Sequence, residues 1–133
     1  MVTLGTPTPA MPTEDIQRAL AFYENVLGFE RVVLEGEFAL LRRDDATVTL
    51  WGATDDSWQS RTDWERPVTS GAETFIAGTA SFRVQVEGIE ELYEQCRDHV
   101  HPSAPLADTD WGTREFGALD PDGNLIGFWE LSG

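Results

Sequence analysis

The chain has 133 residues, 41% of them hydrophobic and 25% charged, and carries a formal net charge of −15. That length sets one domain as the prior, and a chain of this size buries roughly two-thirds of its unfolded surface, enough for a core without staples. The acidity argues against nucleic acid and anionic membrane as partners, no apolar run approaches the ~20 residues of a membrane span, and the one cysteine, Cys96, leaves no intrachain disulfide and fits a reducing cytoplasm.

The start, Met1 to Pro12, has neither a basic segment nor an apolar core, so it reads as no signal peptide. Thr3 to Pro12 reads as extended. Pro7, Pro9 and Pro12 each remove a backbone donor, so a strand here pairs fully on one side only or lies at an edge. Thr13 or Asp15 can cap a following helix. Ile16, Ala19, Leu20, Tyr23, Val26 and Leu27 recur at helical spacing, and Gly28 is a natural stop. Glu14 and Asp15 sit at the positive end of that helix dipole.

Phe29 to Leu34 reads as a strand, turned by Gly36 into Phe38 to Arg43, which Asp44 and Asp45 turn into Thr47 to Trp51. Period-2 alternation puts Val48 and Leu50 on one face of the last strand and Thr47, Thr49 and Trp51 on the other. The order so far is β, α, β, β, β. Gly52 to Gly78 is a polar connection holding Asp55, Asp56, Asp63, Glu65 and Glu73 among Trp58, Trp64 and Phe75. It is too long for a simple link inside a compact domain.

Thr79 to Glu87 reads as the next strand, with Phe82, Val84 and Val86 on one face and Ser81, Arg83 and Gln85 on the other. Ile89, Leu92, Tyr93, Cys96 and Val100 mark a second helix. A short segment around Leu106 leads into a hairpin of Arg114 to Leu119 and Leu125 to Leu131. Pro121 presets the first turn position, and Gly123 or Asn124 can take the positive φ of a close reversal. In the last strand Ile126 and Phe128 face one way, and Leu125, Gly127 and Trp129 the other. A glycine beside a tryptophan suggests a surface that something approaches closely.

The second half thus repeats β, α, β, β, β. The fold class expected is α+β: two βαβββ modules, residues 1–52 and 79–133 joined by 53–78, forming one curved mixed sheet in a single domain. Helices cover the convex face through Val48, Leu50, Phe82, Val84, Val86, Ile126 and Phe128. The concave face shows Thr49, Trp51, Ser81, Arg83, Gln85, Gly127 and Trp129, a mix that describes a pocket better than a core.

These pieces resemble the vicinal-oxygen-chelate superfamily and, within it, the bleomycin-resistance proteins. The resemblance rests on Asp15, on Phe22-Tyr23…Val26-Leu27-Gly28-Phe29, on Phe38-Ala39…Arg42-Arg43-Asp44-Asp45, and on Glu91-Leu92-Tyr93. It continues in Trp111-Gly112, Arg114-Glu115-Phe116 and Asp120-Pro121-Asp122-Gly123-Asn124, and covers the chain except Gly52 to Gly78. The metal enzymes of that superfamily take His or Glu ligands at positions that fall near Pro9, at Thr49 or Trp51, at Ser81 and at Gly127. None is a ligand type here, so neither metal nor other cofactor is expected, and the chain is read as a binder of a cationic or aromatic small molecule rather than an enzyme.

The resemblance further implies a homodimer that exchanges its N-terminal strand, with the drug in a groove at the subunit interface. The Thr6 to Pro12 arm could make that exchange. Phe38 and Trp111-Gly112 match groove positions, and Thr49 and Trp51 match in place but not in type. The family's acidic-aromatic pair on the second strand is Val32-Val33 here. The ligand-lining set expected is Phe38, Thr49, Trp51, Ser81, Arg83, Trp111, Gly112, Glu115 and Trp129, with no catalytic residue.

Plainer roles stand beside these. Each tryptophan could pack in a core or interface. Asp110 and Glu115 could meet a ligand cation, or Glu115 could pair with Arg83 or Arg114 and fix the hairpin. His99 and His101 read as dipole partners at a helix C-terminus and Cys96 as a buried structural thiol. A glyoxalase- or dioxygenase-like enzyme of the same fold, using Glu115 or an unusual metal site, and an interaction module with a vestigial pocket are the other readings.

Overall fold

A computed structural model of the chain describes residues 1–53, 77–78 and 80–133. The residues singled out between Asp55 and Phe75 lie outside the described residues. The order is β1 (Ala10–Thr13), α1 (Ile16–Asn25), β2 (Glu30–Glu35), β3 (Phe38–Arg43), β4 (Ala46–Gly52), β5 (Ser81–Gln85), α2 (Ile89–Gln95), β6 (Ala107–Asp108), β7 (Thr113–Leu119) and β8 (Leu125–Leu131). A 3-10 turn, Arg97–His99, follows α2.

The strands form two four-stranded mixed sheets of the same plan, β1-β4-β3-β2 and β5-β8-β7-β6. In each, the strand before the helix is an edge strand and runs parallel to the last strand of its unit. The strand β1, which carries Pro12, is thus at an edge, where its missing donor costs least.

Asp15 begins α1: its side chain accepts from the Arg18 amide at 3.1 Å. Ile16, Ala19, Leu20 and Tyr23 form the buried face, joined by Phe22. The helix closes through Gly28, whose φ of 73° a side chain would strain, and Arg43 Nη1 donates to the Leu27 carbonyl at 2.7 Å. Helix α2 has a different start. Gly88 offers no side chain, so Glu130 on β8 accepts from the amides of Gly88 (2.5 Å) and Ile89 (3.1 Å). The helix ends at Gln95, earlier than the spacing to Val100 predicts. Val100 is extended instead, bridging Ala118 of β7.

One apolar core runs through both units, with Val48, Leu50, Ala39 and Leu41 from the first sheet and Phe116, Ala118, Ile126 and Phe128 from the second. Of the two histidines, His99 lies in the last turn of the 3-10 segment that follows α2, and His101 lies beyond it. The His99 ring stands edge-on to Phe22, with centroids 5.1 Å apart, and His101 Nδ1 accepts from the Ser103 amide at 2.9 Å.

The two units are tied at the β7–β8 turn. Gly123 takes the positive φ, 88°, and its amide returns to the Asp120 carbonyl at 2.9 Å. Buried Asp120 accepts from the amides of Asp122 and Asn124 through Oδ1, and from Tyr23 Oη and Asn124 Nδ2 through Oδ2. Asn124 Nδ2 also donates to the Pro12 carbonyl at 2.8 Å. Its Oδ1 accepts from the amides of Gly78 and Ala80. The turn motif therefore knots β1, α1 and the approach to β5 together.

Candidate functional site

Alternation along the strands sets one face of each sheet against the core and leaves the other open. On the open face of the first sheet, Phe38 pairs across from Trp51 and Leu40 across from Thr49. The Phe38 and Trp51 rings meet edge to face, with centroids 6.2 Å apart. Thr49 turns its hydroxyl onto its own edge: the amide and Oγ1 both reach the Pro9 carbonyl, at 2.9 and 3.2 Å. Val32 and Val33 on β2 are exposed.

On the second sheet, Glu115 lies opposite Trp129 in the β7–β8 ladder, and Arg83 lies opposite Gly127 in the β5–β8 ladder. Glu115 is the hub. Its Oε2 accepts from Thr113 Oγ1 (2.5 Å) and Trp111 Nε1 (3.1 Å), and its Oε1 accepts from Arg83 Nη2 (2.8 Å). The Thr113 hydroxyl first, then Trp111 and Arg83, hold this carboxyl below the usual range in spite of its partial burial. The Arg83 guanidinium also lies 5.9 Å from the Trp129 ring centroid. Trp111, 71% exposed, projects from a bend at Gly112, whose φ is 87°.

Of the nine expected lining residues, the structure gathers Phe38, Thr49 and Trp51 on one sheet and Arg83, Trp111, Gly112, Glu115 and Trp129 on the other. Ser81 is exposed at the start of β5, opposite Leu125. Glu115 has taken the local role weighed for it, with Arg83 as partner, while Arg114 pairs with Asp108 and Glu90 on the helix side. Asp110 is exposed.

The close approach expected at Gly127 comes from within the chain. A Cβ there would stand 3.3 Å from Arg83 Cγ, so the arginine stem lies across the gap. Sequence reasoning missed Thr113, the donor that orients Glu115. Counting back by two from Glu115 along the strand would have found it.

Two clefts flank β5. One, of about 610 Å³, lies between the β3–β4 turn and β5–α2, with Leu27, Phe82, Val84, Leu92 and Phe128 in its walls and Asp44, Asp45, Glu87 and Glu91 at its rim. The other, of about 670 Å³, runs between the Thr6–Pro9 arm and β5 and takes in Arg83. Among the described residues no group of three His, Cys, Asp or Glu side chains converges as a metal ion requires.

Residues 6–128 match the family model described as Glyoxalase/Bleomycin resistance protein/Dioxygenase superfamily. The chain is 45% identical over 124 residues to proteins named bleomycin resistance protein from Geobacillus stearothermophilus and from Staphylococcus aureus strain MRSA252, covering 92% of this chain and 93% of each relative. Among solved structures it resembles a bleomycin-binding protein complexed with bleomycin (TM-score 0.65, 19% identity, 96% of this chain and 98% of that one). It also resembles a lactoylglutathione lyase from Agrobacterium tumefaciens (TM-score 0.71, 18% identity, 97% and 95%). At those identities the structural likenesses establish the fold alone.

Proposed function

The chain belongs to the glyoxalase/bleomycin resistance protein/dioxygenase superfamily, and from that membership we propose that it sequesters a cationic or aromatic small molecule, a bleomycin-type glycopeptide foremost, and so confers resistance to it. The observation that carries this reading is the 45% identity to bleomycin resistance proteins along nearly the whole of both chains. The site chemistry agrees with it. Open faces lined by Phe38, Trp51, Trp111 and Trp129 with Glu115 among them suit an aromatic cation, and a net charge of −15 would draw one in.

The metal of the superfamily's enzymes does not fit here. Thr49 spends its hydroxyl on the Pro9 carbonyl, Gly127 has no donor and lies under Arg83, and Ser81 is a lone hydroxyl. A divalent ion needs at least three placed N, O or S donors. This donor set supports the reading of binding rather than metal-dependent chemistry, and no metal-dependent step is assigned.

The reading includes a homodimer in which the N-terminal arm crosses to the partner and each groove is completed by the second copy. Met1, Val2 and Leu4 are fully or nearly fully exposed, and Thr6–Pro9 runs along the cleft beside edge strand β5. An apolar arm left bare in one chain gains most by burial on another. It also takes the chain as one domain, modules 1–52 and 79–133 joined by 53–78, working in the cytoplasm, where buried Cys96 stays reduced.

Expression in a bleomycin-sensitive bacterium tests the reading. The expected result is growth at raised drug concentrations, with the drug recovered unmodified by mass spectrometry after release from the protein. No protection, or a chemically altered drug, would contradict it.

A further inference from the structure

On the open face of the second sheet, a cation of the protein's own already occupies a place built for one. Arg83 Nη2 meets Glu115 Oε1 at 2.8 Å while its guanidinium carbon lies 5.9 Å from the Trp129 ring centroid. The carboxylate cannot turn freely, because Thr113 Oγ1 and Trp111 Nε1 hold its other oxygen. The register sets the indole beside it, Glu115 standing directly opposite Trp129. A fixed carboxylate edge beside an aromatic face selects a planar cation that hydrogen-bonds in its plane and stacks through its face.

We propose that Glu115 and Trp129 form the ligand's cation subsite, selective for a guanidinium or amidinium group, and that Arg83 is the specificity residue which holds this subsite until a ligand cation displaces it. The proposal deepens the binding function proposed above and rests on it. Arg83 is suited to leave. Its side chain is 58% exposed, whereas that of Glu115 is 23% exposed, so the arginine can swing into water while the carboxylate stays. An exposed pair of this kind is weak. Gly127 completes the device. With no Cβ under the Arg83 stem, departure of the stem leaves a bare strip of backbone on which a ligand can lie. Any ligand cation therefore competes with an internal one, and a neutral ligand of the same shape gains nothing at this subsite.

The test is fluorescence titration of the wild type, Arg83→Gln and the double variant Arg83→Gln/Glu115→Gln with 2-naphthylmethylguanidinium and its neutral counterpart 2-naphthylmethanol. Thermal melts confirm that each variant is folded. Arg83→Gln is expected to bind the guanidinium probe about three- to tenfold more tightly than the wild type. The alcohol should change less than twofold, and the double variant should lose the preference for charge. Equal or weaker guanidinium binding by Arg83→Gln, a parallel gain for the alcohol, or no saturable binding by Arg83→Gln would each overturn the proposal. A bleomycin titration of the wild type separates the two levels. Bleomycin binding without the guanidinium gain removes only the Arg83 proposal. The gain without bleomycin binding removes only the wider reading.

Discussion

The Tyr23 hydroxyl donates to Asp120 Oδ2 at 3.1 Å, joining two side chains 97 positions apart. Burial and the Asp120 carboxylate push the tyrosine ionisation far above its ordinary range, so this hydroxyl remains a donor at any working pH. Removing it leaves a buried acceptor short of one partner. Tyr23→Phe should lower stability by about 1–2 kcal/mol. Asn124→Ala should cost more, about 2–4 kcal/mol, because it orphans the Pro12 carbonyl and the Gly78 and Ala80 amides at once. Urea denaturation measures both. Equal small losses would show that the turn does not lock the units.

Cys96 is buried on the helical stripe, and burial pushes its thiol up to about 11 against an opposing pull from Arg43. The folded thiol holds its proton more tightly than the unfolded one, whose ordinary value is 9.0. Its contribution to stability is therefore full below pH 9 and is lost as pH rises towards 11. At pH 8 a thiol reagent should label Cys96 only as fast as the fold opens. The labelling rate should rise with urea in step with unfolding. Rapid labelling in native buffer would contradict the burial.

Two glycines should answer differently to alanine. A Cβ at Gly52 would lie 2.7 Å from Glu37 Cβ, an atom fixed to the backbone, whereas the nearest atom to one at Gly127 is in the movable stem of Arg83 at 3.3 Å, with the Phe82 carbonyl at an ordinary 3.8 Å. Gly52→Ala should destabilise by about 1–3 kcal/mol, and Gly127→Ala by less than about 1 kcal/mol while loosening Arg83 from Glu115. Thermal melts give the ranking, and the reverse order would refute it.

Much of this fold is legible in the chain because local rules and tertiary packing agree. Ile16, Ala19, Leu20 and Tyr23 mark a helix by spacing and are buried as that spacing requires. Val48 and Leu50 alternate as a half-buried strand and lie wholly inside. The spacing to Val100 misleads because β7 captures its backbone, and a bridge to Ala118 outweighs a helical turn. The site is legible only in part. Trp129 and Glu115 can be placed on the open face by counting along strands. That Arg83 would lie across Gly127, or that Glu130 would cap α2, depends on side chains from distant segments, which no local pattern encodes.

The Glu115 hub fixes Trp111 through one hydrogen bond to an otherwise exposed ring. Glu115→Ala should leave global stability within about 1 kcal/mol, since Arg83 and Trp111 are exposed and the buried Thr113 hydroxyl keeps Thr109 Oγ1 as a partner. The Trp111 indole N–H should then exchange with water markedly faster by NMR. An unchanged exchange rate would mean that the ring is held by something else.

On the function proposed above, the open faces bind a bleomycin-type cation with no metal between protein and drug. Calorimetric titration of the metal-free protein with bleomycin, repeated on Trp111→Ala and Glu115→Ala, tests it most directly. Saturation near one drug per chain is expected, weakening as salt is raised, with a loss of about tenfold in either variant. Absence of saturable heat in the wild type, or undiminished affinity in both variants, would contradict it.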